Sequence, residues 1–148
     1  MVRNFRFEEE GRIARSAFPE SEEAVDWLYD QGIRTVVSLH PIPEAAQARL
    51  RERGMEWRPF LLTDFSEELP AGLTLLLDEI ARRADEAPAV LLHCQGGGGR
   101  AGTFYAAYRI RQGTPVEEAI ATTTGVEREP QKAFLRGFAA GMQSGTDR

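Results

Sequence analysis

At 148 residues the chain is long enough for one compact domain spanning 1–148 with a real core, and too short for two. Its composition, 42% hydrophobic and 28% charged, is that of a globular protein, and no apolar run nears the roughly 20 residues of a membrane helix. A net charge of −5 argues against a broad basic surface, and Met1–Phe7 lacks the apolar core of a secretory signal. A cytoplasmic protein with no nucleic-acid and no membrane partner is therefore expected.

Residues 3–8 and 12–15 carry the pattern of a small hairpin turning at Glu10-Gly11. Ser21 caps a helix whose first turn holds Glu22 and Glu23, favourable at the positive end of the helix dipole, and Gly32 ends it. Ile33–Leu39 reads as a strand, stopped by His40-Pro41-Ile42-Pro43. A second helix is predicted from Glu44 to Arg53, followed by Gly54. Glu56–Phe60 is a short strand that Pro59 pushes towards a sheet edge. Residues 61–70 form a polar loop.

Leu73, Leu76, Leu77, Ile80 and Ala84 then recur at the spacing of one helix face. Ala89–Leu92, bounded by Pro88, is the continuous apolar run of a central strand buried on both faces. A glycine loop and a helix over 101–112 follow, closed by Gly113. Thr114-Pro115-Val116-Glu117 has capping-box form with proline at the first helical position, and Pro130 opens a last helix to about Gly141. Strands separated by helices predict an α/β fold, a mainly parallel central sheet flanked by helices. Ligands on such sheets sit outside the carboxyl ends of the strands. Three segments, His40–Pro43, Leu62–Pro70 and Cys94–Arg100, therefore converge on one candidate site.

Cys94 is the only cysteine, which excludes an internal disulfide and most thiolate metal sites; it is either a small buried hydrophobe or a nucleophile. Seventeen arginines accompany a single lysine, Lys132, so an arginine six positions after a cysteine means little alone. The context discriminates. Cys94 ends an apolar strand, Gln95 and four glycines (Gly96, Gly97, Gly98, Gly99) follow, and Arg100 opens a helix.

Each part has a physical reason. The thiolate, not the thiol, is nucleophilic, and a helix N-terminus facing a ring of backbone N–H groups stabilises that anion. Glycines let the amides converge because they adopt positive φ cheaply and have no side chains in the way. The same ring can hold three phosphoryl oxygens, and the planar fork of Arg100 suits two of them. A dinucleotide reading of Gly97, Gly99 and Gly102 lacks the following strand with its acidic residue, and a Walker A loop lacks its lysine.

His93, Cys94 and Arg100 match the H-C-x5-R signature residue by residue, and the chain resembles the protein tyrosine and dual-specificity phosphatases over most of its length. It is similar to small single-domain archaeal or bacterial members. The resemblance implies a cysteine-phosphatase, dual-specificity-phosphatase-like fold, catalysis by Cys94 and Arg100, and substrate binding by Gln95, Gly96–Gly99 and Arg100. No metal and no cofactor is expected. The resemblance also implies a general acid in the loop before the central strand, for which Asp64 is preferred over Glu67 and Glu68; Asp78 and Asp85 fall in a helical pattern. It places His93 and Gln131 in support, His93 orienting the loop and Gln131 near the hydrolytic water. Glu127 stands where the family often has a first glutamine.

A second departure is Ala101, where most members carry a serine or threonine that bonds the sulfur; Thr103 is two residues further along and points elsewhere. His40 is a weaker substrate-contact candidate. The expected partner is a phosphorylated protein, with phosphotyrosine, phosphoserine or phosphothreonine as substrate, or a small phosphate ester (an inositide, nucleotide or sugar phosphate). Gln95 and the glycines add no basic group, which leans away from inositides. A phosphopeptide-binding pseudophosphatase is the non-enzymatic alternative.

Overall fold

The structure, a computed structural model, describes residues 1–62, 70–86 and 89–143. Its sheet is built from β1 (Arg6–Glu9), β2 (Ile13–Ser16), β3 (Thr35–Ser38), β4 (Glu56–Pro59) and β5 (Val90–His93), in the order β1-β2-β5-β3-β4. β1 runs antiparallel to β2, and the other neighbours are parallel. The helices are α1 (Glu22–Asp30), α2 (Glu44–Glu52), α3 (Leu73–Glu86), α4 (Gly99–Arg111), α5 (Val116–Thr122) and α6 (Glu129–Gln143).

The period-2 alternation of strand side chains decides which helices cover which face. Val90, Leu92, Val37 and Ile13 point into a core shared with α3, α4, α5 and α6. Leu91, Val36 and Ala14 point into a second core shared with α1 and α2. β5 is therefore buried on both sides, as its unbroken apolar run requires. All five apolar positions picked out at helical spacing on α3 are buried. Pro59 sits in β4 at the sheet edge, where a missing N–H costs no ladder bond.

Local signals acted largely as their chemistry dictates. The Ser21 hydroxyl accepts from Ala24 N at 3.1 Å and caps α1, and Gly32 follows α1 at φ +96°. Two expectations shift. The hairpin strands are shorter at the amino end, because Asn4 takes φ +59° and the chain becomes extended only from Arg6. Thr114 does not cap α5. Its N–H bonds back to Arg109 O, finishing the turn after α4, and Pro115 at φ −58° and ψ 143° takes the N-cap position with no side-chain bond.

The three central parallel strands end level with one another, Ser16 and Ser38 each standing opposite His93. Cys94 thus emerges at the middle of the sheet's carboxyl edge. No described helix is long and apolar enough to cross a membrane.

Leu77 is fully buried while Leu75, on the same helix, is 74% exposed. Leu77→Ala should lower unfolding free energy by about 2–5 kcal/mol in a urea titration. Leu75→Ala should stay within about 0.5 kcal/mol of the parent. Equal losses would mean that α3 is rotated from the orientation described.

Candidate functional site

Cys94 is 3% exposed, and its Sγ receives the Gly97 N–H at 3.3 Å. The rest of the loop explains why an amide points that way. In a trans peptide the N–H lies opposite the preceding carbonyl, so a loop whose carbonyls are held outside presents its amides inside. Each carbonyl from Cys94 to Gly99 has such a holder. The Cys94 carbonyl faces His93 Nδ1 (3.3 Å), and that of Gln95 accepts from Phe18 N (3.5 Å). Those of Gly96 and Gly97 accept from Asn4 Nδ2 (2.7 Å) and Arg6 Nη2 (3.5 Å). The Gly98 carbonyl accepts from Gly102 N (2.6 Å), and that of Gly99 from Thr103 Oγ1 (2.8 Å) and Gln131 Nε2 (3.3 Å).

Among the described residues, three positions leave no room for a Cβ: Gly97, Gly125 and Gly102, at the last of which it would lie 2.4 Å from the Thr124 carbonyl oxygen. Gly97 has φ +89°, and a Cβ there would lie 2.7 Å from the Ser16 carbonyl carbon. Gly125, at φ +94°, would set a Cβ 2.5 Å from the Gly98 carbonyl oxygen, so the 123–125 turn packs directly against the loop. That turn is pinned from below by Arg15, a fully buried side chain on β2. Arg15 donates to Glu8 Oε2 (2.8 Å), to the Thr124 carbonyl (2.9 Å) and to Thr124 Oγ1. Burial lowers the Arg15 pKa and Glu8 opposes that effect, the usual balance for a buried charge with a partner.

His93 is fully buried at the end of β5. The Cys94 carbonyl can only accept, which places the neutral ring's proton on His93 Nδ1 (3.3 Å). Nε2 then accepts from the Ser38 hydroxyl (2.6 Å), whose oxygen accepts in turn from Trp57 Nε1 (2.8 Å). Burial, opposed by that carbonyl bond and reinforced by His40 and Arg100, pushes the imidazole pKa down to about 4. His93 is thus neutral near pH 7, and it acts on the loop through a hydrogen bond rather than a charge.

Arg100 lies in the first turn of α4, half-buried, with Nη1 donating to the Leu62 carbonyl at 2.6 Å. Its Nε and Nη2 have no partner among the described residues. Gln131 accepts at Oε1 from Glu127 N and Arg128 N, both at 2.8 Å, and donates to Gly99. It therefore ties the start of α6 to the loop. Ala101 is fully buried, and the Thr103 hydroxyl is committed to Gly99. His40 is half-buried, with Nδ1 2.8 Å from the Pro41 carbonyl and its ring 5.2 Å from that of Phe18. Asp78 pairs with Arg111 and Asp85 with Arg12. Asp64, Glu67 and Glu68 lie outside the described residues.

Cys94, Gln95, Gly96, Gly98, Gly99, Arg100 and Gln131 line one cavity of about 850 Å³. Its walls also carry Glu127, at the position of the family's first glutamine, and Arg6, Thr124 and Arg128, which sequence reasoning did not select. Neither the N-terminal residues nor the 123–125 turn carries a local motif, and only the fold brings them to the loop. Among the described residues no group of three His, Cys, Asp or Glu side chains is placed to hold a metal ion.

The sequence model of a family described as PTP-SAK, Swiss Army Knife protein, DSP-PTPase phosphatase domain, matches residues 2–138. No curated protein matches the chain. Among solved structures, Tk-PTP in the active form is similar with a TM-score of 0.76 and 27% identity, covering 88% of this chain and 93% of that one. A cysteine-to-serine form of P. aeruginosa TpbA in complex with pTyr is similar with a TM-score of 0.69 and 25% identity, covering 91% and 85%. The core catalytic domain of the PP-IP phosphatase SIW14 from S. cerevisiae shares the fold, at 21% identity and a TM-score of 0.72 over 91% of this chain and 85% of that one.

The state of His93 has a consequence for stability. Its folded pKa of about 4 lies below the ordinary 6.5, so between those values the unfolded chain binds a proton that the folded chain does not. Stability is complete above about pH 6.5 and falls as the pH drops towards 4. Urea midpoints should decline over that window by the equivalent of a few kcal/mol, and His93→Asn should lose that part of the decline. An identical decline in both proteins would contradict a buried neutral imidazole.

Proposed function

This chain belongs to the PTP-SAK family of DSP-PTPase phosphatase domains, and from that premise we propose that it hydrolyses phosphate monoesters through a phosphocysteine intermediate on Cys94. The observation that carries the reading is the Gly97 N–H on the Cys94 sulfur, inside a loop whose carbonyls are all held outward beside the Arg100 guanidinium. In the first step Sγ attacks phosphorus as the ester P–O bond breaks, and Asp64 protonates the departing oxygen. The amides of Gln95–Gly99 and the free edge of Arg100 hold the other three oxygens as charge spreads over them. In the second step water attacks phosphorus, the P–S bond breaks, Asp64 takes the proton and inorganic phosphate leaves.

Asp64 follows Leu62 by two residues in the sequence, and the Leu62 carbonyl is bonded to Arg100. That link supports Asp64 over Asp78 and Asp85, which are committed to ion pairs. Gln131 lines the cavity beside Gly99, where it holds the loop and can meet the attacking water. His93 keeps the Cys94 carbonyl turned away from the anion. Ala101 offers no hydroxyl to the sulfur as it leaves phosphorus, so the second step is slower than in hydroxyl-bearing relatives.

Phosphotyrosine in proteins, with phosphoserine and phosphothreonine, is the first substrate class, supported by the similarity to TpbA solved with pTyr. A small phosphate ester carrying further anionic groups is the second reading. Arg6 and Arg128 on the cavity wall favour it, Arg128 having no side-chain ion pair among the described residues. These arginines supply from outside the loop the positive charge that Gln95 and the glycines do not.

Rapid-quench turnover of p-nitrophenyl phosphate tests the mechanism. The parent should show a burst of nitrophenol equal to the enzyme concentration, and Cys94→Ser none. Asp64→Asn should slow hydrolysis of an alkyl phosphate by about 10²–10⁴-fold, and Ala101→Ser should speed the steady state while leaving the burst rate alone. A parent without turnover, or an active Cys94→Ser, would overturn the reading.

A further inference from the structure

A run of four glycines has the greatest backbone freedom a chain can have, and no side chains of its own with which to hold a shape. Gly98 and Gly99 are ordered by α4, whose N-terminal turn begins there. Gly96 and Gly97 precede the helix. Their carbonyls are taken by two side chains more than ninety residues away in sequence, Asn4 Nδ2 on Gly96 O at 2.7 Å and Arg6 Nη2 on Gly97 O at 3.5 Å.

The segment bearing those donors is itself fixed. Val2 is buried, and Ala17 N donates to the Arg3 carbonyl at 2.9 Å. The Phe5 ring meets Trp27 at 5.0 Å and Phe7 at 5.3 Å, both edge-on. Arg6 is held further by the Asn4 carbonyl (2.9 Å) and Glu8 (3.2 Å). Asn4 is the one non-glycine residue with positive φ among the described residues, at +59°. Asparagine tolerates that region better than most residues, so the turn that aims its side chain at the Gly96 carbonyl comes at little backbone cost.

We propose that Asn4 and Arg6 are positioning residues of the phosphate-binding loop, holding the Gly96 and Gly97 carbonyls outward so that the Gly97 and Gly98 amides face the anion. The proposal rests on the assignment of Cys94–Arg100 as that loop. Asn4 acts by its hydrogen bond alone, since it carries no charge to attract a phosphate. Arg6 both holds a carbonyl and lines the cavity, so Asn4 gives the cleaner test.

Asn4→Gly removes the donor and also relieves the positive φ, which separates loop order from stability. Tungstate, an inert phosphate analogue, is titrated by calorimetry into the parent and the variant, and amide hydrogen exchange is read at Gly97, Gly98 and β5 in both. Asn4→Gly should bind tungstate roughly fivefold more weakly, the scale of one lost hydrogen bond. Its Gly97 and Gly98 amides should exchange faster, with β5 unchanged and thermal stability equal or higher. Unchanged exchange at Gly97 and Gly98 overturns the proposal, as does faster exchange with undiminished tungstate affinity. A parent that does not bind tungstate removes the loop assignment itself, which the exchange data distinguish from failure of the brace.

Discussion

A peptide that turns its carbonyl out turns the next N–H in, and from Cys94 to Gly99 the chain uses this rule at six consecutive groups. The holders come from five places: His93 at the end of the central strand, Phe18 after β2, the N-terminal Asn4 and Arg6, the first turn of α4, and Gln131 at the start of α6. Removing the holder of a singly held carbonyl frees one peptide to rotate, whereas Gly99 is held twice, by Thr103 and by Gln131. The convergence on the Cys94 sulfur is therefore a property of the whole fold, although it is displayed by seven residues.

The sheet makes this convergence possible. A central parallel strand buried on both faces cannot shift without disturbing two cores, and it delivers Cys94 level with the ends of β2 and β3. The Trp57–Ser38–His93 hydrogen-bond chain then crosses three strands to reach the Cys94 carbonyl. Below the loop, the buried Arg15 fixes Thr124 and presses against Gly102, where a Cβ would stand 2.5 Å from its Nη1. Gly125 in turn lies against the Gly98 carbonyl. Packing and hydrogen bonding meet at the same few atoms, which explains why glycines recur there.

Much of this could be read from the chain itself. The apolar run of β5, the helical spacing on α3 and the Ser21 cap are local signals, and the buried strand, the buried helix face and the capped helix follow them. Cys94, the glycines and Arg100 stood out because their chemistry is contiguous. What stayed hidden was non-local. Asn4 and Arg6 look like ordinary polar residues of a hairpin, and Arg15 like one more charge in an arginine-rich chain. Their roles depend on β2 pairing with β5 and carrying β1 on its outer side, an adjacency that the sequence order does not announce. Thr114 misled for the opposite reason. Its capping pattern was locally complete, but its backbone was already committed to the turn closing α4.

The central claim is that the Cys94 sulfur and the Arg100 guanidinium share one site for an anion. Alkylation of Cys94 by iodoacetate, followed by intact-mass analysis with and without inorganic phosphate, tests it most directly. Phosphate should protect Cys94 competitively in the parent and fail to protect it in Arg100→Met. Alkylation that is indifferent to phosphate in both proteins would contradict the shared site.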